Sequence, residues 1–313
     1  MINKLFNIKY PLIQGGMANI ATGRFAAVIS NAGGLGLIGA GGMDTKTLKE
    51  NIDECRKLTN QPFGVNIMLM NPHADEMAEL MIKEKIQVIT TGAGNPGKYM
   101  EKWIEAGIKV IPVVASVALA KRMERNKATA IIVEGSEAGG HIGDLTTMAL
   151  VPQVIEAVNI PVIAAGGIAS SSQVLAAFAL GAQGIQIGTC LLASEECPIH
   201  DNYKNEILKA SDTGTTVTGR INGTPVRIIK NKMAKEYIKR EKSGATMEEL
   251  EVYTLGALRK AVFNGDVKDG SLMSGQVSGM IKEIKPAKVI IESLFEDLLL
   301  KYQNLESKVI TWK

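Results

Sequence analysis

Eight short apolar runs, each followed by a helix-like stretch, constrain this 313-residue chain more than any other feature. The runs cover residues 11–14, 34–38, 63–69, 86–91, 109–115, 130–134, 161–165 and 184–188. Each is almost continuously apolar, as a parallel strand covered on both faces must be. Successive runs begin 21 to 31 residues apart, room for a strand, a helix and two short loops. The intervening stretches predict helices over 21–30, over 45–58 behind the cap residue Asp44, and over 170–180 before Gly181. Eight such units without a composition break predict a closed (β/α)8 TIM barrel, for which about 250 residues is typical. An open doubly wound sheet is the alternative. Past the eighth run the alternation stops. Residues 198–285 mix helical and turn signals and read as an inserted lid over the barrel mouth. Residues 286–300 read as one amphipathic helix completing the ring, so the barrel comprises 1–197 and 286–313.

Composition excludes several classes. Hydrophobics at 46% against 21% charged residues exclude a disordered chain. A formal charge of +3 gives no argument for nucleic acid. The longest apolar span, 110–120 between Lys109 and Lys121, is short of the roughly 20 residues a bilayer crossing needs. The first nine residues lack the apolar stretch of a signal peptide. Three cysteines without a CxxC pair and three scattered histidines supply no zinc spacing and suit a reducing compartment. The expectation is a cytoplasmic protein with no membrane, nucleic-acid or metal partner.

Active sites of such barrels lie at the carboxyl ends of the strands, with phosphate usually after the seventh and eighth. Those ends carry unusual residues here. The first run enters Gln14-Gly15-Gly16-Met17, and the third contains the polar Asn66. The sixth ends on Glu134 and continues to Gly139-Gly140-His141. The seventh ends Ala164-Ala165-Gly166-Gly167, and the eighth Gln186-Ile187-Gly188-Thr189. Glycines let a backbone approach an anion closely and aim amides at it, and a helix start at Ser170 would add its dipole. Glycines also end strands in proteins that bind nothing. Two glycine ends where this fold binds phosphate favour a ligand, with a hydroxyl from Thr189.

Other candidates divide by context. Gly34-Leu35-Gly36-Leu37-Ile38-Gly39 matches the dinucleotide fingerprint GxGxxG, but a helix precedes it and the match is itself the strand, so it is rejected. His141 follows two glycines just past the sixth run and suits acid–base work near neutral pH. His73 and His200 have no such context and read as surface residues. Asn66 and Glu134 would be costly to bury unpartnered, so they either face a ligand or form a structural network. Met17, Met68, Met70 and Met273 could line a flat apolar ligand, although methionine is more often core filler. Cys190 and Cys197 have no accompanying base and read as inert. The basic run 220–242 holds Arg220, Arg227, Lys230, Lys232, Lys235, Lys239, Arg240 and Lys242. It reads equally as a solvated helix face or as an attractor for an anionic substrate or acidic carrier.

Together these strand ends resemble the FMN-dependent family that joins nitronate monooxygenases with the FabK-type enoyl-acyl-carrier-protein reductases. The similarity runs from Tyr10-Pro11-Leu12-Ile13-Gln14-Gly15-Gly16-Met17 to Met273-Ser274-Gly275-Gln276-Val277-Ser278-Gly279, most of the chain. Its most specific element is Glu137-Ala138-Gly139-Gly140-His141, and the stretch from Val133 through Gly143, with Leu145-Thr146-Thr147-Met148, looks like the reductase branch. The resemblance implies FMN, with its phosphate on Ala165, Gly166, Gly167, Gly188 and Thr189. It implies that Gly16, Met17, Asn66, Glu134, Gln186, Met273 and Ser274 surround ring and ribityl chain, and that His141 is catalytic. The implied reaction is ping-pong: NADH or NADPH reduces FMN, which reduces a trans-2-enoyl thioester carried by acyl carrier protein in fatty acid biosynthesis. A homodimer is also implied. A nitronate monooxygenase, and a non-catalytic barrel binding a phosphate ligand, remain the competing readings.

Overall fold

The computed structural model describes residues 1–221 and 224–310. Positions 222 and 223 of the basic run and 311–313 of the expected final segment lie outside the described residues. Among the described residues eleven strands run along the chain: β1 (Leu12–Gln14), β2 (Gly36–Gly39), β3 (Phe63–Met68), β4 (Val88–Gly92), β5 (Lys109–Val114), β6 (Ile131–Glu134), β7 (Gly140–His141), β8 (Val162–Ala165), β9 (Gly184–Ile187), β10 (Thr215–Thr218) and β11 (Val226–Ile229). All eight apolar runs are strands. They form one parallel sheet in the order β1-β9-β8-β6-β5-β4-β3-β2.

The two ends of that order meet. Leu35 donates its amide to Leu12 O at 2.8 Å, and Gln14 donates its own to Leu35 O at 3.0 Å. The buried Gln14 side chain then accepts the Leu37 amide at 3.2 Å, taking the place of a ladder bond. The sheet is therefore a (β/α)8 barrel and not an open one. Its interior is filled by Ile13, Leu35, Leu37, Ile111, Ile132 and Ile163. The helix Ile2–Phe6 buries Ile2 and Phe6 in the same cluster and plugs the amino-terminal end, Ile2 donating to Gln183 O at 3.1 Å. Only the carboxyl end stays open.

The expected helices take their places in the outer ring. Thr45–Leu58 is capped by Asp44, whose carboxylate accepts the Thr47 amide at 2.7 Å. Ser171–Ala179 follows its cap Ser170. The glycine-rich decoy is strand, preceded by the helix Gly23–Asn31, as the sequence context required. At the other end of the chain the structure corrects an expectation. In place of one helix over 286–300 there are two, Ala287–Glu296 and Leu298–Ile310, broken at Asp297. Phe295 of the first stacks on Tyr10 at 4.8 Å, while Lys301 of the second reaches Ser172 Oγ at 2.9 Å.

The segment between β9 and these helices carries the hairpin β10–β11 and the helices Asp201–Lys209, Lys232–Lys242, Met247–Thr254 and Ala257–Asn264. Ile228, Met233, Ala234, Tyr237 and Leu250 give it a small apolar cluster of its own. It is nonetheless tied to the barrel, because β7 joins β11 as the third strand of an antiparallel sheet. No helix among the described residues is long and apolar enough to cross a membrane.

Gly36 marks how tightly ring and barrel pack: a Cβ there would lie 1.9 Å from Ala26 O. Gly36→Ala should cost about 2–3 kcal/mol, the upper range for overpacking. Gly92→Ala, where nothing lies within 4 Å, should change little. Urea unfolding of the two variants checks this.

Candidate active site

A cavity of about 890 Å3 opens at the carboxyl ends of the barrel strands, within the range of small-molecule sites. Its walls include Gly16, Met17, Asn66, Glu134, His141, Ala165, Gly166, Gly167, Gln186, Gly188, Thr189 and Met273. Those twelve positions come from seven separate stretches of chain. Ser274 is not among the walls. It is fully buried, with its hydroxyl 2.8 Å from Ser278 Oγ.

One end of the cavity is built from the chain leaving β8 and β9. Gly166 and Gly167 both adopt left-handed backbone, φ 90° and 75°, which an L side chain resists. Among the described residues neither amide is donated to another protein group, and both residues border the cavity. A Cβ on Gly166 would also strike Gly135 O at 2.8 Å. Thr189 Oγ1 accepts the Gly275 amide at 2.9 Å, which leaves its hydrogen to donate elsewhere. The helix after β8 starts behind its cap Ser170, as expected. Ser170 Oγ takes the Gln173 amide, and Gln173 Oε1 takes that of Ala169.

The floor is polar and uneven. Asn66 donates to Thr90 Oγ1 at 2.8 Å, a structural tie between β3 and β4 that leaves its other face toward Gly16 and the cavity. Glu134 is half-buried at the end of β6. Desolvation by the surrounding protein pushes its carboxyl up to about 7. Gln186 presents its amide from β9. Met17, Met68 and Met273 border the space, whereas Met70 is 72% exposed and outside it.

His141 reaches the cavity from β7. Gly140, at φ 79°, turns the chain out of the loop after β6. β11 then fixes the strand, with Val226 opposite His141, Arg227 opposite Gly140, and Ile142 donating to Pro225 O at 3.1 Å. The imidazole is open to the cavity on one side. Partial burial lowers its pKa from the ordinary 6.5 and keeps it neutral near pH 7. His73 and His200 cap helices at the surface instead. Cys190 and Cys197 are buried, and desolvation raises both thiols to about 12, so they are inert.

Residues 272–278 cross the mouth as a cover. Ile229 donates to Leu272 O, Tyr203 holds Met273 O at 2.8 Å, and Gln276 donates to Glu137 O at 2.9 Å. The basic run is corrected in one member. Arg227 is buried, its guanidinium on Ser136 O at 3.0 Å and Thr215 Oγ1 at 3.1 Å, so it braces the lid and presents no charge to solvent. The sequence reading missed the outer rim, where Glu251, Thr254 and Leu255 from the lid join Leu119 from the barrel. Leu255 is 74% exposed. The capping box that starts this helix at Thr246 is legible in the sequence, but nothing local marks Leu255 as part of the rim.

Three comparisons bear on this site. The family model described as nitronate monooxygenase matches residues 1–83 and 75–297. The solved structure of FabK from Thermotoga maritima superposes with a TM-score of 0.96 at 46% identity, over 98% of each chain. Among curated proteins, a probable nitronate monooxygenase of Staphylococcus aureus is 32% identical over 95% of this chain and 96% of its own length. A (3aS,4S,5R,7aS)-5-hydroxy-7a-methyl-1-oxo-octahydro-1H-indene-4-carboxyl-CoA dehydrogenase of Mycobacterium tuberculosis is 29% identical over 98% of each.

The raised pKa of Glu134 has a cost in stability. The unfolded chain loses this proton near 4.5 and the folded one near 7, so rising pH favours unfolding across that window. Glu134→Gln should stabilise the ligand-free protein by about 3 kcal/mol above pH 7 and by almost nothing below pH 4. Chemical denaturation of both proteins at the two extremes measures the difference.

Proposed function

This chain belongs to the nitronate monooxygenase family of oxidoreductases, and we propose that within it the protein is an FMN-dependent enoyl-acyl-carrier-protein reductase of fatty acid biosynthesis. One observation carries the reading: free glycine amides and the neutral His141 face the same cavity. The amides of Gly166, Gly167 and Gly188, with the Thr189 hydroxyl and the Ala165 backbone, suit a phosphate without any lysine or arginine. Gly16, Met17, Asn66, Glu134, Gln186 and Met273 would hold ring and ribityl chain, under the cover that Ser274 helps to fold. Bound FMN would supply the redox chemistry, accepting hydride from NADH or NADPH and returning it to the β-carbon of a trans-2-enoyl thioester.

The chain's own residues then have defined work. His141, neutral and anchored on β7, donates an N–H to the thioester carbonyl, where negative charge develops. The apolar rim of Leu119 and Leu255 receives the acyl chain, and the cover over 272–278 excludes water. Identity of 46% to FabK, against 32% to the staphylococcal protein, supports the reductase over the oxygenase. A relative named for an acyl-CoA substrate also suits a thioester.

An acidic carrier protein has a landing place beside the mouth. Lys230, Lys232, Lys235 and Lys239 line a second cavity of about 720 Å3, together with Tyr253. Tyr253 belongs to the helix whose Glu251 and Thr254 border the main cavity, so one helix width separates groove from mouth. Lys232 is engaged by Asp269 at 3.1 Å, whereas Lys235 and Lys239 are exposed.

Anaerobic oxidation of NADH or NADPH stimulated by crotonyl thioester is the expected activity. Oxygen uptake with alkyl nitronates and no thioester turnover would establish the oxygenase instead, and a protein that stays colourless with added FMN would remove both. His141→Ala should keep flavin and lose enoyl turnover by about 100-fold or more. Wild-type kcat/KM should fall only on the acid side of the ordinary imidazole value, because burial delays the charging of His141 to lower pH. Lys235→Glu with Lys239→Glu should raise KM for the carrier-bound substrate more than for its CoA analogue; equal effects would mark a solvated face.

A further inference from the structure

Glu137 and Thr147 are polar side chains packed behind the glycine cradle, and neither has a part in the reaction above. Glu137 lies in the loop between β6 and β7, where it is half-buried. Its carboxylate accepts the Thr147 amide through both oxygens, at 2.9 and 3.1 Å, and lies 3.0 Å from the Thr147 hydroxyl. That hydroxyl is 3.1 Å from Ala165 O and 2.9 Å from Gly166 O. Ala165 O is already served by the Gly135 amide at 3.0 Å. The single hydrogen of Thr147 is therefore shared between the Glu137 carboxylate and Gly166 O, its two shorter contacts.

Peptide planarity turns this into a statement about the cavity. In a trans peptide the carbonyl of one residue and the N–H of the next point in opposite directions. Gripping Ala165 O from behind aims the Gly166 N–H forward, and gripping Gly166 O does the same for Gly167. Both residues border the cavity, and among the described residues both amides lack a protein acceptor. Gly167 also rests on the Glu137 side chain, since a Cβ there would come within 3.2 Å of Glu137 Cβ. The Glu137 main-chain carbonyl meanwhile holds the cover through Gln276.

We propose that Thr147, held by Glu137, is a positioning residue that presets the Gly167 amide, beside the Gly166 amide set by Gly135, for the terminal phosphate of the flavin. The proposal rests on the FMN reading above and assigns no chemistry to either side chain. Its signature is selectivity for the phosphate. Riboflavin has the same ring and ribityl chain but no phosphate, so the pair should matter for FMN alone.

The test is flavin fluorescence titration of the full-length protein with FMN and, separately, with riboflavin. Thr147→Val keeps the shape and removes the hydroxyl, and should weaken FMN binding about 10- to 100-fold, the range for a lost hydrogen bond that orders a charged-ligand site. Riboflavin affinity should change less than about threefold. Thr147→Ser should restore FMN affinity. Glu137→Ala should follow Thr147→Val, and Glu137→Gln, which can still accept the Thr147 amide, should fall between it and wild type. Parallel losses for FMN and riboflavin, or no loss for either, would overturn the positioning role. A wild-type protein that binds FMN no tighter than riboflavin would be a different failure, because it removes the phosphate assignment beneath the proposal.

Discussion

Lateral closure of β1 onto β2 is the constraint from which the rest of the molecule follows. Eight parallel strands give eight carboxyl ends, but those ends converge on one rim only if the sheet joins itself. The joint is short: two backbone hydrogen bonds around Leu35 and one from Leu37 to the Gln14 side chain. With the helix Ile2–Phe6 filling the opposite end, the barrel is a packed cylinder with a single open face. Gly16 from β1, Asn66 from β3, Glu134 from β6 and Gln186 from β9 are neighbours because of that geometry.

The open face is then divided by chemistry. At the ends of β8 and β9 the cavity wall is largely backbone, and Gly166 and Gly167 after β8 hold positive φ, which an L side chain resists. Across the cavity the groups are titratable and their surroundings tune them. Desolvation raises the Glu134 carboxyl and lowers the His141 imidazole, so both lean toward their neutral forms near pH 7. A site that pairs fixed backbone dipoles with neutral side chains favours an anionic ligand tail at one end and hydrogen-bond donation at the other.

The inserted region completes the site as well as covering it. His141 would sit on an unsupported two-residue strand without β11. Buried Arg227 ties the same hairpin to Ser136, and residues 272–278 tie the mouth to Thr189 and Glu137. Opening the cover would therefore disturb both the histidine and the cradle, which couples access to the arrangement of the reacting groups.

The sequence by itself determined the barrel and the places where chemistry could occur. Strands buried on both faces must be apolar throughout, and helices must follow them, so eight repeats of that pattern leave little choice of fold. Glycines and polar residues at strand ends break the pattern where a ligand would sit, which made Gly166, Gly188, Asn66 and His141 legible. Only the tertiary structure decided what holds those groups in place. Thr147 on the Gly166 carbonyl, Arg227 turned inward from a basic run, Leu255 on the rim and the break at Asp297 all depend on contacts between segments far apart in the chain. Such contacts leave no local periodicity or propensity behind, because each is set by a partner whose position exists only after the barrel has closed.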